Sequence, residues 1–152
     1  MKFIEVYSEI QINANKENLW QILTTPNEYN DWNPFIKQIF GKLELNEHIL
    51  EIAYANDFLF LPFEMVIKSF KPNYELVYES PKSILGEPFF FGHHRYLLEE
   101  TAQGHVLFSH TALFSGLIAL VQREHILTKV KAKHEEMNSA LKLRAESTNA
   151  KF

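Results

Sequence analysis

Residues 116–146 read GLIALVQREHILTKVKAKHEEMNSALKLRAE. After its opening glycine the stretch contains neither Gly nor Pro, and it is longer than most globular helices, so it needs a tertiary partner to be stable. Leu120, Leu127, Val130, Met137 and Leu141, with His134 among them, recur at spacings of three, four and seven, which predicts one apolar helical face. Lys129, Lys131, Lys133, Glu135, Glu136 and Lys142 fall mostly on the opposite side and predict a solvated face. About 30 residues at about 1.5 Å each span about 45 Å. An apolar face of that length needs an equally long apolar partner. A sheet is the natural one, because the chain before it reads as strand after strand.

Immediately upstream, residues 89–100 and 105–114 read as a hairpin closed by Thr101-Ala102-Gln103-Gly104, with the glycine available for a left-handed turn. Even positions are expected to face inward: His94, Tyr96 and Leu98 on one strand, and Phe108, His110, Ala112 and Phe114 on the other. That places His110 opposite His94 or Tyr96. Further strands are expected at 36–45, at 48–54 with Leu50, Ile52 and Tyr54 on one face, at 63–70 with Phe63, Met65 and Ile67 inward, and at 74–79 with Leu76 and Tyr78 inward. At the other end, Ile4, Val6, Ser8, Ile10 and Ile12 alternate with polar or aromatic residues as a half-buried first strand. Asn15 can cap a short helix bearing Leu19, Trp20 and Leu23. Thr25-Pro26-Asn27-Glu28 has the form of a capping box opening a second short helix, which Asn33-Pro34 ends. The order is strand, two short helices, six strands, long helix. This predicts an α+β helix-grip fold: a curved antiparallel sheet of about seven strands around a long C-terminal helix. Residues 1–146 form one domain, with 147–152 as a frayed tail.

The chain has 152 residues, no cysteine and a net charge of -4 without long charged runs, which excludes disulfides and thiolate chemistry and argues against nucleic acid as a partner. It opens on a strand pattern instead of a signal peptide, and no apolar run approaches the about 20 residues of a membrane span, so a cytoplasmic protein without integral membrane contact is expected. Thirteen Phe, six Tyr and two Trp supply either a dense core or the walls of a ligand cavity.

Three segments carry a family resemblance. They are Leu19-Trp20-Gln21-Ile22-Leu23 leading into Tyr29-Asn30-Asp31-Trp32-Asn33-Pro34-Phe35-Ile36; Gly92-His93-His94-Arg95-Tyr96-Leu97-Leu98-Glu99 followed by His110 and Phe114-Ser115-Gly116; and Met137-Asn138-Ser139-Ala140-Leu141-Lys142 with Arg144-Ala145-Glu146. Together they resemble a bacterial branch of the START/Bet v 1-like superfamily, which includes the polyketide cyclase/dehydrase and lipid-transport proteins. The resemblance covers nearly the whole chain and implies an apolar cavity between sheet and helix. It implies no single reaction, since the fold hosts carriers and enzymes alike. Many relatives carry a glutamate two residues after the histidine matched by His110. Ala112 stands there in this chain, so no acid–base role attaches to that position.

The cavity is expected to be lined by Trp32, Ile52, Tyr54, Met65, Ile67, Tyr78, Tyr96, Phe108, His110, His134 and Met137. Apolar walls would hold a small apolar or amphipathic molecule while Tyr96 and the histidines orient its polar group. The alternative is a cyclase- or dehydratase-like enzyme in which His94 or His110 moves protons. A third reading is a filled core with an interaction surface on two apolar connections: 58–62, after Asn56-Asp57, and Phe89-Phe90-Phe91, after Leu85-Gly86-Glu87-Pro88. Those connections serve as lid, core or the contact of a homodimer. His94, His110 and His134 look into one cavity, but no metal spacing joins them and no carboxylate acceptors stand by, so neither metal nor other cofactor is expected. His48, His93, His105 and His125 are expected at the surface.

Overall fold

The computed structural model describes residues 2–81 and 89–149. β1 (Ile4–Ile12) is followed by α1 (Lys16–Leu23), a 3-10 turn (Pro26–Glu28) and α2 (Tyr29–Trp32). Six strands come next: β2 (Ile36–Phe40), β3 (His48–Asn56), β4 (Leu59–Lys71), β5 (Glu75–Glu79), β6 (Phe91–Glu100) and β7 (Val106–Ser115). They form one seven-stranded sheet in the order β1-β7-β6-β5-β4-β3-β2, every neighbouring pair antiparallel. Register shifts in β2–β3, β3–β4 and β4–β5 bend the sheet around its helix. This is the expected helix-grip architecture.

Local chemistry sets the connections. Asn15 Oδ1 accepts from Asn18 N at 2.7 Å, the expected cap of α1. Thr25 makes no capping bond; its hydroxyl donates to Gln21 O at 2.6 Å, so the capping box does not form and the chain turns as a 3-10 element first. Asn33 Oδ1 accepts from both Phe35 N and Ile36 N at 2.9 Å, which fixes the turn into β2. β2 ends at Phe40, because Gly41 at φ 112 breaks the strand that the pattern extended to residue 45. Gly104, at φ 79, closes the last hairpin where expected.

Two expectations change. The long C-terminal helix starts at Arg123 instead of following Gly116: α3 (Leu117–Val121) is set apart at Gln122, and the long helix then runs unbroken as α4 (Arg123–His125), a π-type turn (Ile126–Val130) and α5 (Lys131–Asn149). The wide π turn resets the phase, so the buried stripe is Ile126, Val130, His134, Met137, Leu141 and Ala145. Leu120 and Leu127, expected on the stripe, are 56% and 37% exposed. α5 runs along β1 and against α1. Met137 and Leu141 are fully buried there, each contributing about 1.5–3 kcal/mol of apolar burial. α5 continues through residues 147–149, assigned above to a frayed tail; residues 150–152 lie outside the described residues.

The second change is in β3. Ile49, Glu51 and Ala53 face inward, and Leu50 and Ile52 do not, so the strand sits one residue out of the expected phase. The apolar stretch 58–62 is mostly strand: β3 and β4 are a hairpin turning at Asp57 and Phe58, and its end projects past the neighbouring strands. The connection at Leu85-Gly86-Glu87-Pro88 lies outside the described residues.

Candidate functional site

A cavity of about 550 Å3 opens between the β3, β4, β6 and β7 side of the sheet and the chain from Ile118 to Val130. Its walls are mostly apolar. Ala53 and Met65 lie on the sheet side, Phe35 comes from the α2–β2 turn, Leu61 and Phe63 from the projecting hairpin, and Ile118, Ile126 and Val130 form the roof. None of the described lining residues is Lys or Arg. The ionisable side chains lining it are Glu51, Tyr54, His94 and His125.

Of the residues expected to line a cavity, Tyr54 and Met65 do, with His94 beside them. Tyr54 reaches the rim past the bulge between Tyr54 and Asn56, and its hydroxyl donates to Asp57 Oδ1 at 2.8 Å. Ile67, Tyr78, Tyr96, Phe108, His110, His134 and Met137 pack as solid core next to the cavity instead of lining it. Ile52 points to the outer face. Trp32 lies in a separate, half-polar groove between the short helices and α5. His125, expected at the surface, lines the cavity: its Nε2 lies 2.8 Å from Ala55 O and its ring stacks on Tyr54.

Glu51 was missed by the sequence reading. It is 2% exposed and one carboxyl oxygen, Oε2, has no hydrogen-bond partner among the described residues. Tyr78 supplies a hydrogen bond, and Tyr78 OH lies 2.8 Å from Tyr96 OH, so a polar chain runs from the cavity into the core. Burial pushes the Glu51 carboxyl up to about 7, the Tyr78 bond only partly opposing it. The signal available in sequence was a lone glutamate inside the apolar run from Ile49 to Ala55; reading the alternation in the other phase would have turned it inward.

His94, His110 and His134 come together as expected, and His110 stands opposite Tyr96 in the register. One ring nitrogen from each lies within 4.8 Å of the others. The His110 and His134 rings stack at 4.1 Å, and the Phe35 ring stands edge-on to His134 at 4.5 Å. Burial, with His110 and His93 nearby, holds His94 down to about 3; burial holds His110 down to about 4, partly offset by its bond to Asn138. All three are therefore neutral at pH 7.

Glu51 has a measurable consequence for stability. Its folded-state value is raised from 4.5 to about 7, so its contribution is fully present below pH 4.5 and is lost as the pH rises through 7. The loss is of the order of 3 kcal/mol. Glu51→Gln is expected to gain stability relative to the wild type between about pH 4.5 and 7, read from urea unfolding of both proteins across that range. A difference independent of pH would mean that Glu51 is solvated as in the unfolded chain.

The chain matches no family profile and no curated protein sequence. Its fold, however, matches solved structures at low identity. One is the hypothetical protein jhp0584 from Helicobacter pylori, with TM-score 0.76 and 12% identity over 95% of this chain and 88% of that one. The ZhuI aromatase/cyclase from Streptomyces sp. R1128 gives TM-score 0.75 and 12% identity over 95% and 94%. A START superfamily protein from Mycobacterium smegmatis gives 0.70 and 14% over 95% and 98%.

Proposed function

Starting from a START-like helix-grip fold whose cavity wall carries an unpaired glutamate oxygen, we propose that this protein binds a small, uncharged, mostly apolar molecule carrying a hydroxyl or carbonyl group. The observation that carries the reading is the cavity itself. Its volume of about 550 Å3 and apolar walls fit a drug-sized ligand. Glu51 Oε2 and His94 Nδ1 lack partners and belong to residues lining the cavity, so a ligand head offering a donor and an acceptor would satisfy both. The absence of Lys and Arg from the described lining argues against a carboxylate or phosphate head, which would be buried without a counter-charge. An open cavity also argues against the reading of a filled core serving only as an interaction module. Carriage of the ligand from one site to another is compatible with this reading.

A second reading, an enzyme of the cyclase or dehydratase type, is favoured by one observation. A carboxyl poised near pH 7 on the wall of a cavity that a neutral histidine also lines is suited to moving protons on an enolisable carbonyl compound. Glu51 and His94 are the groups in place for this; His110 is buried behind the wall and does not reach the cavity.

Native mass spectrometry of protein purified from cells tests the first reading, by a retained small molecule of one mass per chain. Ala53→Phe, which fills the sheet side of the cavity, is expected to lose that molecule while staying folded. Glu51→Gln is expected to weaken binding several-fold, the worth of about one hydrogen bond. If the retained compound is instead turned over, Glu51→Gln should slow turnover about 100-fold or more. A protein that retains nothing and binds no apolar fluorescent probe, with Ala53→Phe indistinguishable from wild type, would remove both readings.

A further inference from the structure

We propose that His94, His110 and His134 form a three-imidazole site for a divalent transition-metal ion, of which zinc suits the donor set best. The sequence argued against a metal because no acceptor was visible for the far ring nitrogens. The fold supplies one. His110 Nδ1 lies 3.3 Å from Asn138 Oδ1, and Asn138 is itself held by its Nδ2, which donates to Ser8 Oγ at 2.7 Å. Because Oδ1 only accepts, His110 carries its proton on Nδ1 and presents a lone pair at Nε2. That Nε2 is buried and has no partner among the described residues. This is the orienting arrangement found behind metal-bound histidines.

The other two members are equally unsatisfied. His134 is fully buried with neither ring nitrogen partnered, and His94 Nδ1 is likewise unpartnered. Buried polar nitrogens are normally paired, so three histidines sharing this condition at one point call for an explanation. Three imidazole nitrogens within 4.8 Å of one another are the donor set a cation would take.

The geometry is close without being closed. Atoms no more than 4.8 Å apart lie within about 2.8 Å of a common point. Bonds of about 2.0–2.1 Å then require each ring to advance by about 0.7 Å. The stacked His110 and His134 rings, 16° from parallel, must also turn, since one ion cannot lie in both ring planes. Asn138 holds His110, whereas no hydrogen bond among the described residues holds His134, so His134 is the ring that turns. His94 also lines the cavity, so the fourth coordination position is reached from there. The uncharged head group proposed above is that of the metal-free protein; with an ion bound, a ligand head meets the ion's fourth position in place of the His94 nitrogen.

The test uses the full chain, stripped with chelator and titrated with zinc and, separately, cobalt(II). The expected result is one ion per chain, a higher thermal midpoint and the intense visible absorption of four-coordinate cobalt. His134→Phe and His94→Phe keep a ring and remove the nitrogens; each is expected to lower affinity at least about 100-fold. Asn138→Leu, a positioning change, is expected to lower it about 10- to 100-fold. No uptake by folded wild type, or uptake unchanged in both histidine variants, overturns the proposal. If a variant does not fold, the wild-type spectrum still decides: weak six-coordinate cobalt absorption denotes surface binding and overturns it.

Discussion

Replacing Met137 or Val130 by aspartate is expected to abolish soluble expression. Met137 is fully buried, and Val130 is 8% exposed at the end of the π turn. An unpaired carboxylate at either place costs several kcal/mol, against a total stability of about 5–15 kcal/mol. Leu127→Asp is the control, because Leu127 is 37% exposed and the π turn has rotated it off the buried stripe. It should leave a soluble protein whose melting temperature falls by only a few degrees. Equal loss in all three variants would mean that Leu127 stays on the buried stripe and the π turn does not rotate it away.

The second large effect is expected at Gly116, between β7 and α3. Its backbone sits at φ 99 and ψ 172, a region that residues with a Cβ scarcely enter. A Cβ there would also come within 2.6 Å of the Phe89 carbonyl carbon and oxygen. Neither contact can be relieved by a side-chain rotation, because both atoms are backbone. The Phe89 carbonyl is further fixed by accepting from Ile118 N at 2.8 Å. Gly116→Val is therefore expected to destabilise by about 3 kcal/mol or more, and to displace α3 from the cavity. Denaturant unfolding measures the first, and loss of ligand or probe binding the second. Gly104→Ala is the comparison: it shares a positive φ but nothing stands within 4 Å of its Cβ, so it should cost about 1 kcal/mol.

The order of elements, the last hairpin and its inward set His94, Tyr96, Phe108 and His110 were legible because alternation there is clean; the loop left the register open between His94 and Tyr96, and the structure pairs His110 with Tyr96. β3 was not, because Ile49, Leu50, Ile52, Ala53 and Tyr54 put apolar residues on both faces, and the only polar residue in that core run, Glu51, is the one that points inward. A periodicity argument assigns a lone carboxylate to solvent; a cavity wall reverses that assignment. The C-terminal segment was misread for a different reason. A π turn leaves no mark in composition, yet one widened turn moves every residue upstream of it to a new face. That is why Leu127 failed as a core position while Val130, His134, Met137 and Leu141 held; Leu120 failed because α3 is set apart from the long helix at Gln122.

The same turn separates two kinds of selection within one segment. Downstream of it, Met137, Leu141 and Ala145 are bound to the core, and substitutions there are filtered by folding. Upstream of it, Ile118 on α3, whose buried anchor is Ala119, and Gln122 between α3 and α4 line the cavity. Substitutions at those two places change what the cavity accepts at little risk to the fold. On the ligand-binding reading proposed above, a lineage can thus drift to new small molecules by exchanging a few residues before the turn, while the grip that defines the architecture stays unaltered behind it.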